Sequence, residues 1–327
     1  MHITMLKKKI ASRLRLTLPV LLSLQIHMRT ITAWVSIYAF ILVTAHAWLE
    51  DAHKTIASLA FDLLESDQRS RIQTLLPRGE LLATWMVKGS SWADERGREN
   101  GKNHFIHISS CDNKHAMGLR CGSGSGVCIT EALVRHIQTA MSARPGDSLR
   151  DALKYIIHYM GDLHQPLHVA LESDFGGTSI KGIRPFTTGR DHDVSLHELW
   201  DNDLFQVAKR KGMFKEDFPK YNTTTMDFTV DDLKSESSIR TFVENIAIQT
   251  ATQVTCGMAY WSDPSRKDAF VSRGDYLGDT YTGPAKEWTV VQVARAGIRL
   301  ASLLSSIAEY RSTHAPTAGG AGVRLTR

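Results

Sequence analysis

Acidic residues are absent from the first 47 positions of the chain. Six of the 39 basic residues lie there, at positions 7, 8, 9, 13, 15 and 29, so the remainder carries 33 basic against 34 acidic residues. This near-neutral balance excludes a general positive field as the means of binding a polyanion. Any affinity for one must come from metal ions or from local patches.

The same 47 residues have the features of a targeting sequence. Residues 35–43 form an apolar run interrupted only by Ser36, Arg29 precedes it, and Ala45-His46-Ala47 follows as a small-x-small cleavage pattern. We therefore expect residues 1–47 to be a signal peptide, with Met28 as an alternative start, and the protein to be secreted or in the endomembrane lumen. The competing hypothesis is a membrane anchor through an uncleaved leader, although the run is short for a bilayer. No later segment is expected to reach transmembrane length.

Cysteine is scarce, with four residues that all follow the leader and no CxxC spacing to support a cysteine zinc site. An even number in an exported chain predicts two disulfides. The glycine-rich CGSGSGVC loop favours the pair Cys121–Cys128, which leaves Cys111–Cys256. A single glycosylation sequon at Asn222 predicts an exposed loop there.

Apolar periodicity predicts a mainly α-helical protein. Helical spacing occurs over 53–65, 67–76, 131–142, 147–164, 237–260 and 288–311, with Ser66 and Thr130 as candidate N-caps. Residues 171–195 and 262–286 are rich in Gly, Asp, Ser and Thr and predict long loops with a small β-hairpin. No repeat or linker divides the chain, so we expect one helical domain over 48–312 and a disordered tail over 313–327.

Two His-x-x-x-Asp pairs are the main chemical signal. His158 and Asp162 lie on one side of the predicted helix 147–164, because residues four apart stack. His197 and Asp201 repeat the spacing, and His168 lies between the pairs. Imidazole and carboxylate are ligands that zinc prefers. One such pair usually marks a solvated helix face, but two pairs with a further histidine predict a metal site.

Other motifs complete a recognisable pattern. Trp48 is followed five positions later by His53, Trp-Ala-Asp occupies 92–94, His-Phe-Ile occupies 104–106, Gly-Asp and Gln-Pro-Leu-His lie within 158–168, and Leu-His-x-x-Trp-Asp occupies 196–201. Over residues 48–201 the chain resembles the S-one/P-one family, the secreted trinuclear-zinc, single-strand-specific nucleases that include 3′-nucleotidases. The resemblance implies the mainly α-helical fold shared with bacterial zinc phospholipases C, with the two disulfides where secreted members have theirs.

The resemblance also implies three zinc ions held by nine residues. After signal cleavage the tryptophan would bind through its α-amino and carbonyl groups, and Asp162 would bridge two ions. The implied ligands, ion by ion, are Asp94, His104, His158 and Asp162; Trp48 and His53; and His168, His197 and Asp201.

The implied activity is endonucleolytic hydrolysis of single-stranded DNA and RNA to 5′-phosphorylated products, together with 3′-nucleotidase activity on 3′-mononucleotides. A metal-activated water would attack phosphorus in line, with Asp94 and Asp162 as the catalytic carboxylates. The enzyme would then be a hydrolase of ester bonds. We expect a monomer without a stable protein partner.

Expected substrate contacts are less well defined than the ligands. Phe105 is a candidate platform for an unpaired base, with core packing as the equal alternative. His107 stands where many relatives have Asp, which makes base preference and pH optimum uncertain. His164 lies among the ligands, where it is expected to support them or to be neutral.

Two further positions depart from the family pattern. Gly97 stands where relatives have a basic residue, so the flanking Arg96 and Arg98 are the candidates for phosphate contact. Gly177 is a candidate substrate contact that is followed by Thr178 instead of Asn. None of these changes affects an implied metal ligand.

Two alternative functions are considered. A zinc phospholipase C-like phosphodiesterase has a similar ligand order, but its final ligand is typically Glu where this chain has Asp201, and its Trp-to-His interval is longer. A zinc-binding protein without activity commonly lacks a ligand, and none is missing here. Both alternatives are distinguished from a nuclease by chelator-sensitive turnover of nucleic acid.

Overall fold

The computed structural model describes Trp48 and residues 50–96, 98–111, 118–122, 127–185, 193–216 and 228–314. Residues from His46 onward form one compact unit. The described residues are mostly helical, which confirms the mainly α fold. The helices are α1 (Glu50–Leu63), α2 (Ser66–Gln73), α3 (Leu82–Gly89), α4 (Ile129–Ser142), α5 (Asp147–Asp162), α6 (Leu196–Glu198), α7 (Leu204–Arg210), α8 (Met213–Glu216), α9 (Glu236–Thr250) and α10 (Asp279–His314).

Tighter and wider helical turns link these helices. The π-helical segment Leu199–Asp203 joins α6 to α7, and a second one, Ala251–Ala259, extends α9. Short 3₁₀ segments occur at Asp94–Arg96, Arg98–His104, Pro166–His168, Glu172–Asp174 and Asp231–Lys234. Both π segments adjoin functional or cross-linked residues, as such segments often do.

Two N-caps differ from those predicted. Helix α2 begins at Ser66 itself, because Glu65 and Gln68 form a capping box in which the Glu65 amide donates to Gln68 Oε1 at 2.8 Å. Helix α4 begins at Ile129 after Cys128. Thr130 is therefore the second residue of the helix and not its N-cap. Its hydroxyl lies 3.3 Å from the Cys128 sulfur.

Helix α10 is the longest element and starts nine residues before the predicted position 288. The extra turns form despite Pro284, because Tyr281 and Ala285 are buried in an apolar cluster. The helix is long and apolar enough to cross a membrane, contrary to the expectation for later segments, but 83% of its most apolar window is buried inside the protein. The helix continues through His314, so residues 313 and 314 are helical where a disordered tail was expected. The rest of the expected tail, 315–327, lies outside the described residues.

The β structure is small, and its second sheet pairs strands from two different loops. In the first sheet, β1 (Ile106–Ile108) pairs antiparallel with β2 (Leu119–Arg120) and parallel with β3 (Val169–Leu171). In the second, β4 (Arg184–Pro185) pairs parallel with β5 (Tyr276–Leu277). Among the described residues, isolated antiparallel bridges pair Ile183 with Val194 inside the first predicted loop and Trp261 with Phe270 at the start of the second. The strands that join the two loops, β4 and β5, are parallel and do not form the expected hairpin.

Two apolar clusters flank the elements that carry the predicted ligands. The larger one contains buried residues of α1, α4, α5, α9 and α10, and the smaller one surrounds Trp200 and Tyr281. Glycines allow close contact between helices: a Cβ on Gly161 of α5 would lie 2.7 Å from His53 Nδ1. Helix α1 is thus held against α5, with a histidine at the point of closest approach.

Both predicted disulfides are present, Cys111–Cys256 and Cys121–Cys128. The first connects the end of β1 to the π segment after α9, which lies far along the chain. The predicted leader over 1–47 and the sequon at Asn222 lie outside the described residues.

Candidate metal centre

Eight of the nine predicted ligands come together in the structure. They form three groups of potential ligand atoms, each within 4.8 Å. The groups are His53, Asp94 and His158; His104, His158 and Asp162; and His168, His197 and Asp201. Because the first two groups share His158, the arrangement provides two adjacent positions and one separate position for a cation.

Asp162 lies at the centre of the paired groups and is fully buried. Its Oδ1 is 3.1 Å from His53 Nε2, and its Oδ2 is 3.0 Å from His158 Nε2 and 2.9 Å from His104 Nδ1. The spacing of Asp162 from His158 by one helical turn of α5 brings these two side chains together, as the sequence predicted. One carboxylate therefore faces three imidazoles from three elements.

Asp94 approaches the same imidazoles from the 3₁₀ segment Asp94–Arg96. Its Oδ1 lies 3.3 Å from His158 Nε2 and 3.6 Å from His104 Nδ1. Its side chain is 19% exposed, whereas that of Asp162 is not exposed at all. Asp94 is therefore the carboxylate of the paired groups that reaches solvent.

The third group lies where α6 passes into the π segment. Asp201 Oδ2 is 3.0 Å from His197 Nε2, and Asp201 Oδ1 is 3.6 Å from His168 Nε2. The two imidazoles stack with centroids 5.3 Å apart. His168 Nδ1 is also 3.7 Å from Asp162 Oδ1, so this group adjoins the paired groups.

Backbone carbonyls fix the orientation of three imidazoles. Nδ1 of His158 donates to Ser90 O at 2.7 Å, and Nδ1 of His168 donates to His104 O at 2.8 Å. Nδ1 of His197 donates to Gly176 O at 2.8 Å. A hydrogen bond from one ring nitrogen to a carbonyl leaves the other nitrogen as the ligand. In all three cases Nε2 points into the cluster.

Several buried atoms of the cluster fit a bound cation. Both ring nitrogens of His53, Asp162 Oδ1 and His197 Nε2 are buried without a hydrogen-bond partner among the described residues. Buried polar atoms are normally paired, since leaving one unpaired costs about 1–3 kcal/mol. His53 Nε2 lies 3.1 Å from Asp162 Oδ1, and His197 Nε2 lies 3.0 Å from Asp201 Oδ2, so each of these nitrogens faces a carboxylate, as neighbouring metal ligands do.

Electrostatics favour a cation as well. Burial opposes ionisation of Asp162, but the neighbouring histidines outweigh it and hold its pKa well below its usual range. For Asp94 and Asp201 the histidines likewise outweigh burial and lower the pKa. Burial also opposes charge on His158, yet the Asp162 and Asp94 carboxylates raise its pKa to about 10. The ionised Asp94 and Asp162 thus hold a proton on His158, and a bound cation could take the place of that proton in the negative field of the three carboxylates.

Trp48 is fully buried beside the third group. Its indole Nε1 donates to Trp200 O at 3.2 Å, one residue before Asp201. Trp200 in turn donates through Nε1 to the Tyr281 hydroxyl at 2.9 Å. The side chain of Trp48 is therefore anchored next to the ligand-bearing segment.

The predicted substrate residues lie at the edges of the cluster. Phe105 is partly exposed, and its ring centroid is 5.1 Å from that of His107. The Arg96 guanidinium carbon lies 4.0 Å from the Trp92 ring centroid. The side chain of Arg98 lies outside the described residues, although its backbone begins a 3₁₀ segment. Gly177 is buried with φ of 79°, which glycine adopts without strain.

Two supporting residues were not assigned a definite role by the sequence. Gln165 Nε2 donates to Asp201 Oδ1 in a short contact, while Gln165 Oε1 accepts from Leu167 N. His164 donates through Nδ1 to Met160 O at 2.7 Å and accepts through Nε2 from Arg299 at 2.7 Å. Burial and the nearby Arg299 keep the His164 pKa well below its usual range, so it is neutral.

Side chains of α10 and of the π segment after α9 bind the segment that carries His164 and Gln165. Gln292 Nε2 donates to His164 O at 2.8 Å, next to the contact between His164 and Arg299. Thr255 Oγ1 donates to Pro166 O at 2.6 Å from the π segment. The segment between Asp162 and His168 is therefore held in place by side chains distant in sequence.

Comparisons with known proteins agree with the geometry. A profile of the S1/P1 nuclease family matches residues 48–309. Endonuclease 2 of Arabidopsis thaliana is 28% identical over 307 residues, which cover 87% of this chain and 97% of the relative. Nuclease S1 of Aspergillus oryzae is 24% identical over 290 residues, with 82% and 94% covered. The chain therefore belongs to the S1/P1 nuclease family.

Proposed function

We propose that this protein is a zinc-dependent endonuclease of single-stranded DNA and RNA that also removes phosphate from 3′-mononucleotides. The observation that carries the proposal is the cluster of eight histidine and aspartate side chains with unpaired, buried ligand atoms. Nitrogen and oxygen ligands of this kind suit zinc. The names of the relatives, endonuclease and nuclease, support the reaction class.

Three ions would be held by the nine predicted ligands. Asp94, His104, His158 and Asp162 would hold one, and Asp162 would be shared with a neighbour held by His53 and the Trp48 backbone. His168, His197 and Asp201 would hold the third. Bound zinc supplies Lewis acidity and lowers the pKa of water.

The protein groups have separate tasks around the reacting phosphate. Asp162 is closed to solvent and keeps three imidazoles in place. Asp94 is ionised and partly exposed, so its free carboxylate oxygen can accept the proton of the attacking water. Its lowered pKa keeps it in the accepting form down to acidic pH.

A local cationic patch supports a phosphate-rich substrate. Arg96 and Lys154 both lie over the ring of Trp92, with Lys154 Nζ 4.3 Å from the centroid. Trp92 is two residues from Asp94, so these cations lie beside the paired groups. The patch supplies the local attraction that the near-neutral net charge lacks. Phe105 is partly exposed and follows the candidate ligand His104, so its ring suits an unpaired base.

The test is a substrate panel for the secreted protein: single-stranded DNA, RNA, a 3′-mononucleotide and phosphatidylcholine, each with and without chelator. We expect chelator-sensitive hydrolysis of the first three, restored by zinc. Hydrolysis of the lipid alone would identify a phospholipase C-like enzyme. Absence of chelator-sensitive turnover of every substrate would identify a binding protein without activity.

The proposal includes export and a processed N-terminus. Cleavage after Ala47 would free the Trp48 amine for zinc, and we propose a secreted or luminal monomer with a glycan on Asn222. N-terminal sequencing with metal counting tests this: we expect a start at Trp48 and about three zinc ions per chain, with one fewer when a tag is fused directly before Trp48. Equal metal content in the two forms would contradict a role for the amine.

A further inference from the structure

Lys286 is a buried lysine on α10 that lacks a partner for its charge. Only 8% of its surface is exposed. It follows Ala285, which packs in the smaller apolar cluster together with Leu204 of α7. Within the described part of the chain, its ammonium group makes no ion pair and meets no carbonyl, hydroxyl or carboxylate acceptor. Lysine is almost never buried to this extent unless it is paired.

A second lysine lies beside Lys286. Lys211 follows the last residue of α7, where its amide donates to Val207 O at 3.1 Å, and α7 packs against α10. The Lys211 side chain is exposed, and its ammonium group lies within hydrogen-bonding distance of the Lys286 ammonium group. Burial and then Lys211 hold the pKa of Lys286 below its usual range. Two like charges therefore meet where the two helices pack.

Nearby carboxylates do not neutralise this pair. Asp279 and Glu287 favour the charged form of Lys286, but both are exposed, and burial and Lys211 outweigh them. Lys209, two residues before Lys211, differs from the pair because its Nζ donates to Asp51 Oδ2 at 2.9 Å. Lys211 and Lys286 are thus left with a positive charge that an anion would offset.

We propose that Lys211 and Lys286 form a binding site for a phosphate group. Each ammonium group supplies three N–H donors and a full charge, which suits the several acceptor oxygens of a tetrahedral oxyanion. A bound anion would remove the repulsion between the two charges and give Lys286 the partner that it lacks. Helices α7 and α10 supply none of the candidate metal ligands, so the site lies outside the metal centre and goes beyond the proposed function.

Two sources could provide the phosphate group. One is inorganic phosphate, which removal of a 3′-phosphate would release. The other is a phosphodiester of a bound strand. Lys211 follows Asp201 by ten residues of continuous helix, which separates their Cα atoms by about 15 Å. A long strand could reach both positions, whereas a mononucleotide is too short to do so.

The test measures the thermal stability of the zinc-loaded protein in sodium phosphate, sodium sulfate and sodium chloride at equal ionic strength. An anion that binds the folded protein raises its midpoint of unfolding, and the rise gives the affinity. Lys286→Met and Lys211→Met each remove one charge and keep an apolar stem. Lys209→Met is the matched control on the same helix, since Lys209 already has Asp51 as its partner.

We expect phosphate and sulfate to stabilise the wild type more than chloride does. Lys286→Met and Lys211→Met should each weaken phosphate binding at this site by about 10- to 150-fold, the effect of losing one hydrogen bond to a charged group. Lys209→Met should bind phosphate like the wild type. Lys211→Met changes an exposed side chain and tests the site even if Lys286→Met does not fold. Equal stabilisation of the wild type and all variants by phosphate overturns the proposal.

Kinetics of the same variants distinguish the two sources. If a strand supplies the phosphate, Lys286→Met and Lys211→Met should raise KM for a long single strand and leave KM for a 3′-mononucleotide unchanged. If inorganic phosphate is the ligand, KM for both substrates should stay at the wild-type value while the affinity for phosphate falls. A wild-type chain that cleaves neither substrate overturns the proposed function, and the stability measurement still decides this inference.

Discussion

Asp162 shows how one side chain can organise a whole site. It is fully buried and lies within 3.1 Å of imidazoles from α1, α5 and the segment before β1. We predict that Asp162→Asn lowers zinc affinity and kcat/KM by at least about 100-fold, since even residues that support a ligand contribute 10- to 100-fold. Metal analysis after dialysis and steady-state kinetics measure both. Asp51→Asn, an exposed change on α1, should leave both unchanged.

Gln165 is not itself a candidate ligand, but it holds the candidate ligand Asp201 in position. Its amide orients Asp201 and also accepts from the Leu167 amide. We predict that Gln165→Ala weakens binding of the most loosely held zinc by about 10- to 100-fold. Competition with a chromogenic chelator measures this affinity. Gln138→Ala, which removes a surface hydrogen bond to Glu236, is the control and should change nothing.

His136 gives a pH dependence separate from the ligands. Burial, followed by the charge of Arg135, lowers its pKa to about 4, and its ring stacks on Tyr155 with centroids 4.3 Å apart. Since the unfolded value is about 6.5, the unfolded chain takes up this proton first. His136 therefore favours folding above pH 6.5, and this contribution is lost as pH falls toward 4.

We predict that chelator-treated wild type loses more stability between pH 7 and pH 4.5 than His136→Gln does. The slopes of the free energy of unfolding against pH should differ between the two proteins by at most about 1.4 kcal/mol per pH unit, the limit for one proton. Urea unfolding at several pH values measures the difference. Parallel pH profiles of the two proteins would show that His136 titrates normally.

At the scale of elements, the contact between α1 and α5 decides where His53 lies. A Cβ on Gly161 would be 2.7 Å from His53 Nδ1 and 2.8 Å from His53 Cε1. We predict that Gly161→Ala displaces this imidazole and lowers zinc content and activity, although alanine favours a helix by about 1 kcal/mol. Gly278→Ala is the control, because its Cβ would meet only Tyr276 Cε1 within 4 Å, at an ordinary contact distance of 3.9 Å. Equal zinc content in the two variants would contradict this contact.

The ligands and helices differ in how well the sequence predicts them. The spacing of His158 and Asp162 is local, so helix geometry alone places them together. Helix limits near α2 and α10 were mispredicted, because a capping box and the burial of Tyr281 outweigh local propensity. The parallel pairing of β4 with β5 depends on contacts between distant loops, which periodicity does not contain.

Gln165 illustrates what the sequence could not reveal about the site. The role of Gln165 depends on a hydrogen bond to a residue 36 positions away. Motifs were enough to predict the nine ligand positions. Only the three-dimensional arrangement shows which of their buried atoms lack hydrogen-bond partners.

At the scale of the whole molecule, the two disulfides constrain the chain unequally. Cys111–Cys256 spans 145 residues, whereas Cys121–Cys128 spans seven. Loop-closure entropy predicts a loss of about 5 kcal/mol when the first is removed and about 2 kcal/mol when the second is. Denaturant unfolding of the two double Cys→Ser variants tests this order. A larger loss for the short loop would contradict the entropic account.

The long helix α10 has a consequence for the order of events during synthesis. It supplies none of the candidate ligands, yet Gln292 and Arg299 secure His164 beside Asp162. The last candidate ligand is Asp201, and α10 begins at Asp279. At about 5–20 residues per second, a ribosome adds the intervening stretch in several seconds. A nascent chain thus contains all eight candidate side-chain ligands before Gln292 and Arg299 have been synthesised, so the segment from Asp162 to His168 gains the support of α10 only after the ligands have been made.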